Sequence, residues 1–99
     1  MANFSLTNKA VTDLADIWDY TFDRWSEKQA DKYYETLIAT CAEIAQNPDA
    51  GKKYDGIFSA LLGQRINQHI IFYRQIDQDT IEIVRILHGR MDLKSRIRQ

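Results

Sequence analysis

The chain lacks nearly everything that covalent or metal scaffolding requires. Its 99 residues hold one cysteine, Cys41, so an internal disulfide framework is excluded, and two histidines with that single thiol make no metal-ligand set. One proline and four glycines leave no Pro/Gly/Ser-rich linker, no low-complexity tract and no internal repeat. With 44% hydrophobic residues the chain does not have the composition of a disordered segment. No apolar run approaches the ~18 residues that cross a bilayer, and Ala2-Asn3-Phe4-Ser5-Leu6 lacks the basic start of a signal peptide. A single cytoplasmic domain over residues 1–99, without cofactor or metal, is the expectation. A chain of this size buries roughly two thirds of its unfolded surface, which is enough for a core but leaves room for a partner to add stability.

What is present is polarised. Residues 85–99 carry five cations (Arg85, Arg90, Lys94, Arg96, Arg98) against Asp92 alone, whereas residues 1–84 carry eight cations against thirteen acids. The formal charge of −1 therefore conceals a +4 end on a −5 body. This end reads as a polar, cationic tail following an apolar strand, and function is expected at the junction Ile86-Leu87-His88-Gly89-Arg90-Met91-Asp92.

Before Asn47-Pro48-Asp49-Ala50-Gly51 the periodicity is helical. Val11, Leu14, Trp18, Phe22 and Trp25 recur in steps of three or four, as do Ala30, Tyr34, Leu37, Cys41 and Ile44. Thr7 or Asn8 can cap the first helix, and Ser26-Glu27-Lys28-Gln29 has capping-box spacing, so the first helix ends near Trp25 and the second starts at once. After Asp55-Gly56 the runs become β-branched and aromatic. Ile70-Ile71-Phe72-Tyr73 and Ile81 through Leu87, parted by Asp77-Gln78-Asp79, predict a β-hairpin. Residues 58–66 supply a preceding strand, residues 3–6 a short first one, and the two apolar faces of the last strand mark it as central. The predicted order is β-α-α-β-β-β, an α+β fold with a helical hairpin laid on a small antiparallel sheet.

Residues along nearly the whole chain resemble the ParE toxins of the RelE/ParE toxin-antitoxin superfamily. The resemblance rests on Leu6-Thr7, Ala10, Asp13-Leu14, Ile17, Tyr20-Thr21, Trp25, Gln29 with Tyr33, Ile44-Ala45, Phe58, Ala60-Leu61, Arg65, and His69 with Phe72. Its most specific part is Ile86-Leu87-His88 with Arg90-Met91-Asp92. It implies the toxin of a type II system that stops growth by poisoning DNA gyrase, an inhibitor rather than an enzyme, held silent by a ParD-like antitoxin in a hetero-oligomer. The alternative is the activity of RelE-like relatives, ribosome-dependent cleavage of messenger RNA, because fold alone does not choose between the two.

RNA cleavage at a 2′-hydroxyl needs a base, an acid and cations at one site. Arg65, Arg85 and Arg90 are cation candidates, but no tyrosine follows Tyr73, which leaves His88 as the acid/base candidate near the carboxyl end. The residues assigned to target contact are Arg65, His88, Arg90, Met91, Asp92, Lys94 and Arg96. His88 equally suits capping of strand carbonyls or pairing with Asp92, and His69 suits a structural role. Arg85, whose alternation partners are Ile83 and Leu87, is either an exposed cation or the buried partner of Asp13 or Asp16. Cys41 on the apolar stripe of the second helix is a core residue. Four net charges in fifteen residues would give only weak, salt-sensitive contact with phosphates, and the acidic remainder argues against sequence-specific nucleic-acid binding.

The helices carry more apolar surface than one sheet face covers, with stripes wider than the ~100° of simple core burial. The surplus, drawn from Leu14, Trp18, Phe22, Trp25, Tyr33, Tyr34 and Leu37, is assigned to antitoxin binding, since ParD-like antitoxins wrap a flexible carboxyl-terminal segment over such a hairpin and sheet.

Overall fold

The computed structural model describes residues 2–98, with the side chain of Arg98 left aside. Strand β1 (Asn3–Leu6) leads into helices α1 (Asn8–Arg24) and α2 (Glu27–Gln46), a 3-10 turn at Pro48–Ala50, and strands β2 (Lys52–Lys53), β3 (Leu62–Ile66), β4 (His69–Gln75) and β5 (Thr80–His88). A short helix, α3 (Leu93–Arg98), closes the described chain.

Each helix starts where its capping residue sets it. The Thr7 hydroxyl oxygen accepts from the Ala10 N–H at 3.0 Å while donating to the Val84 carbonyl at 2.7 Å, so one side chain both starts α1 and ties it to β5. Ser26 accepts from the Gln29 N–H at 3.1 Å, and only Trp25 and Ser26 separate the two helices. Beyond α2, Pro48 cannot continue a helix. The Tyr73 hydroxyl fixes the turn there, donating to the Pro48 carbonyl at 2.7 Å and accepting from the Gly51 N–H at 3.1 Å. A Cβ at Gly51 would collide with that hydroxyl, so the close approach requires glycine.

The sheet order is β1-β5-β4-β3-β2. The α+β class and the predicted helical hairpin hold, but the sheet is mixed: β1 pairs with β5 in parallel, Asn3 beside Thr80 and Leu6 beside Ile83. The helical hairpin and three successive antiparallel strands lie between them in the chain, and that path brings β5 back alongside β1 in the same direction. A second difference concerns the strand expected over residues 58–66. It begins only at Leu62, because residues 54–61 form turns in which Ala60 adopts φ 62°. Third, the tail is not simply polar, since Ile97 of α3 is buried.

β5 contains a bulge. Phe72 stands opposite Arg85 and Tyr73 opposite Ile83, leaving Val84 as the extra residue. The side-chain alternation therefore changes phase: Ile81, Ile83 and Ile86 join the core under the helices, with Leu14, Leu37, Cys41, Ile71 and Tyr73. Leu87 joins the opposite face with Leu61, Ile70, Phe72 and Ile97. Arg85 and Leu87 are thus not a simple alternating pair with Ile83. Cys41 is completely buried, and burial pushes its thiol up to about 12, the behaviour of an inert core residue.

Candidate functional site

β1 ends at Leu6 whereas β5 runs on to His88, so among the described residues no strand lies beside the outer edge of β5 beyond Ile83. Side chains from α1 take that place. The Thr7 hydroxyl serves the Val84 carbonyl, and Asp13 Oδ2 accepts from the Ile86 N–H at 3.0 Å. The same carboxylate grips Arg85 through two bonds, and the third arm of the guanidinium donates to the Arg96 carbonyl at 2.6 Å. Of the two alternatives for Arg85, the structure takes the buried ion pair, with Asp13 rather than Asp16. The hydrogen bond it donates to Asp13 holds the guanidinium above its ordinary range despite burial.

At this end of the sheet His69 and His88 stand directly opposite one another, their rings edge to face with centroids 5.5 Å apart. His69 Nδ1 lies 2.7 Å from the Tyr33 hydroxyl of α2. Burial, reinforced by the proximity of His88, holds the His69 imidazole below its ordinary value of 6.5. Burial also raises the Tyr33 hydroxyl above its usual value, so Tyr33 stays protonated at neutral pH. His88 Nδ1 accepts from the Arg90 N–H at 3.1 Å, which folds the chain after the strand and points Met91 back towards the helices. The Gly89 N–H completes the turn on the Gln68 carbonyl at 2.8 Å.

His69, His88, Arg90 and Met91 line one side of a groove of about 880 Å³ between the helical hairpin and the end of the sheet. The other side is Ile17, Tyr20 and Trp25 of the first helix and its cap, with Gln29 and Tyr33 of α2. Its lining is mostly apolar, and Trp25 is 75% exposed, a large aromatic surface left in water. A smaller hollow of about 260 Å³ adjoins it along the free edge of β5, where Lys9, Asp16 and Arg96 face the histidine pair.

The sequence-derived candidates separate over several surfaces. His88, Arg90 and Met91, assigned to the target, share the groove with Trp25 and Tyr33, assigned to the antitoxin. Arg65 does not join them: it pairs with Ile70, on the face away from the helices, and its guanidinium lies against Gly89. Asp92 accepts from the Ser95 N–H and hydroxyl at 3.3 and 3.0 Å, capping α3 rather than pairing with His88, and these bonds lower its pKa. Lys94 is exposed on α3 and Arg96 lines the smaller hollow.

Leu14 and Leu37 are corrected to core positions, 2% and 0% exposed, because they face the sheet. Trp18 donates its indole N–H to Asp31 at 2.9 Å and stacks on Phe22, 5.3 Å between centroids, while Tyr34 is also exposed on α2; none of the three lines the groove. Sequence reasoning assigned neither Asn67 nor Tyr20 to a site, although Tyr20 is among the positions that carry the family resemblance. The positive φ of Asn67, 52°, which asparagine tolerates in a two-residue turn, and the i+3 step from Ile17 to Tyr20 were the available signals. Among the described residues no group of three or more metal-ligating side chains converges, and no helix is long and apolar enough to cross a membrane.

Residues 4–93 match the family model of the ParE toxin of the type II toxin-antitoxin system, parDE. The chain belongs to the ParE toxin family. It is 36% identical over 92 residues to Toxin ParE1 of Mycobacterium tuberculosis, covering 93% of this chain and 94% of that protein. With Toxin ParE1 of Caulobacter vibrioides it shares 32% identity over 97 residues, 98% and 99% of the two chains. A chain from the solved chromosomal ParDE system of P. aeruginosa superposes with a TM-score of 0.74 at 19% identity, over 89% of this chain and 95% of that one, a likeness of fold. Most of the ParE-like positions identified in the sequence from Ile17 to Met91, among them Tyr20, Trp25, Gln29, Tyr33, His69, His88 and Arg90, meet in the one groove.

Proposed function

We propose that this ParE-family toxin poisons DNA gyrase by stabilising its cleaved-DNA state in the cytoplasm, and that a ParD-like antitoxin silences it by laying a flexible segment in the groove beside His88. The observation that carries the reading is the match to ParE toxins along almost the whole chain, over a span, residues 4–93, within which the His88-x-Arg90-Met91 turn lies. The groove supplies what an antitoxin segment needs, an apolar floor with aromatic anchors at Trp25, Tyr20 and Tyr33. Because target and antitoxin candidates share it, one occupant covers Arg90 and Met91 while it binds Trp25. That overlap supports silencing by occlusion.

The ribonuclease alternative draws on the Tyr33–His69–His88 cluster, whose imidazoles suit acid/base work. Against it stands the separation of Arg65 on the opposite sheet face. The deciding experiment is a supercoiled-plasmid cleavage assay with purified gyrase beside a messenger-cleavage assay on translating ribosomes. Linearised plasmid with intact messenger is expected. Cut messenger with uncut plasmid would replace the proposal with the ribonuclease reading.

A further inference from the structure

The two histidines are set so that a proton changes the groove. His88 Nδ1 is an acceptor, since the Arg90 backbone N–H points at it. A protonated imidazole has no acceptor, so a second proton on His88 sets two donors against each other and the bond to Arg90 is lost. That bond shapes the turn placing Arg90 and Met91 on the groove wall. Across the strand pair, His69 touches the His88 ring edge to face, so a charge on one opposes a charge on the other.

Burial and the adjacent His88 ring favour the neutral state of His69. Lys9, Asp13 and Asp16 face the pair from α1, Tyr33 from α2 and Arg85 from β5. Arg90 and Arg96 face it from the segment that follows. Asp13 and Arg85 neutralise one another, which leaves Lys9, Arg90 and Arg96 against Asp16. An apolar occupant strengthens the bias, because covering the rings with hydrocarbon removes the water that would solvate an imidazolium.

Resting on the reading of the groove as a binding surface, we propose that the His69–His88 pair makes its occupancy proton-sensitive, with the neutral pair as the binding form. The sign follows from linkage. An occupant that covers the rings disfavours their protonated forms, so affinity is full where the rings are neutral and falls as they take up protons. The fall reaches about tenfold per pH unit for each proton that must leave.

The test titrates the whole protein between about pH 8 and pH 5, across the ordinary imidazole range. In backbone amide spectra the Arg90 signal should move in step with the His88 ring, and H88Q should abolish that movement. An Arg90 amide that stays still while the His88 ring titrates overturns the proposal. Nile red, an uncharged apolar dye, probes the groove, and W25A serves as the control that its binding is at this site. Affinity should fall about tenfold per pH unit below the transition, and the fall should shrink in H69Q or H88Q. Equal affinity throughout overturns the proton dependence alone. Absence of dye binding at every pH, or binding untouched by W25A, overturns the groove reading and this inference with it.

Discussion

Asp13 holds Arg85 through both carboxylate oxygens, Oδ2 2.8 Å from Nε and Oδ1 2.9 Å from Nη2, with both side chains about nine-tenths buried. The same carboxylate also takes the Ile86 N–H. R85M should therefore destabilise the protein by about 3–5 kcal/mol, because it leaves Asp13 charged and unpaired in the interior. The double variant D13L/R85M should recover part of the loss but not all, since the Ile86 N–H keeps no acceptor, a residual of about 1–3 kcal/mol. Urea melts of the three proteins check the order; a double variant less stable than R85M would refute it.

Arg90 lines the shared groove and Lys94 lies outside it on α3. R90A should weaken both toxicity and antitoxin binding, each by about 1–3 kcal/mol where the contact is desolvated. K94A should leave antitoxin affinity unchanged, within about 0.5 kcal/mol. Growth arrest on induction, scored beside antitoxin affinity by calorimetry, separates the two. An R90A protein with full antitoxin affinity would break the shared-groove argument.

Removal of residues 93–99 should lower stability as well as toxicity. Ile97 packs with Phe72 and Leu87, and the Arg96 carbonyl accepts from Arg85, so truncation opens an apolar sheet face and leaves a buried guanidinium arm unpaired. A loss of about 2–5 kcal/mol, comparable to removing a large core side chain, is expected in a thermal melt. An unchanged melting temperature would show α3 to be dispensable for folding.

Native-state burial keeps His69 below 6.5, the ordinary value it regains on unfolding. The unfolded chain therefore binds more protons in the interval between the two values, so this contribution to stability is complete above 6.5 and is lost as the pH falls towards the folded value. H69Q should flatten that part of the stability profile. Denaturant melts across the interval provide the measurement.

Antitoxin binding should blue-shift tryptophan emission through Trp25 and raise the melting temperature, as any tight native-state ligand does. Trp25 is 75% exposed and lines the groove, whereas Trp18 is already engaged by Asp31 and Phe22. W25F should remove most of the shift and W18F little of it.

The helical hairpin was legible because its signals are local: Thr7 and Ser26 cap where their side-chain chemistry permits, and the apolar steps follow the helix repeat. The β4–β5 hairpin was legible for the same reason. What escaped depends on pairings distant in sequence. The parallel β1–β5 contact joins Asn3 to Thr80, and no local pattern states strand direction. Leu14 and Leu37 could not be told from Trp25 by hydrophobicity, because both kinds of position follow one repeat and only the sheet decides which side is covered. Arg65 was grouped with His88 by charge, whereas strand parity places it on the far side of the sheet.

The extra residue in β5 makes the length of that strand part of the fold's specification. Ile83 and Ile86 supply the layer beneath the helices while Val84 and Leu87 supply the layer beneath α3, a division that a regular two-residue alternation would scramble. Loss of Val84 would close the bulge: with Arg85 already opposite Phe72 and Ile86 opposite Ile71, the remaining residues alternate regularly, and Ile86, Leu87 and His88 keep their sides. A one-residue deletion there is thus a different lesion from any substitution: it keeps both apolar layers and removes the local twist that the extra residue gives β5 where Thr7 and Asp13 meet it.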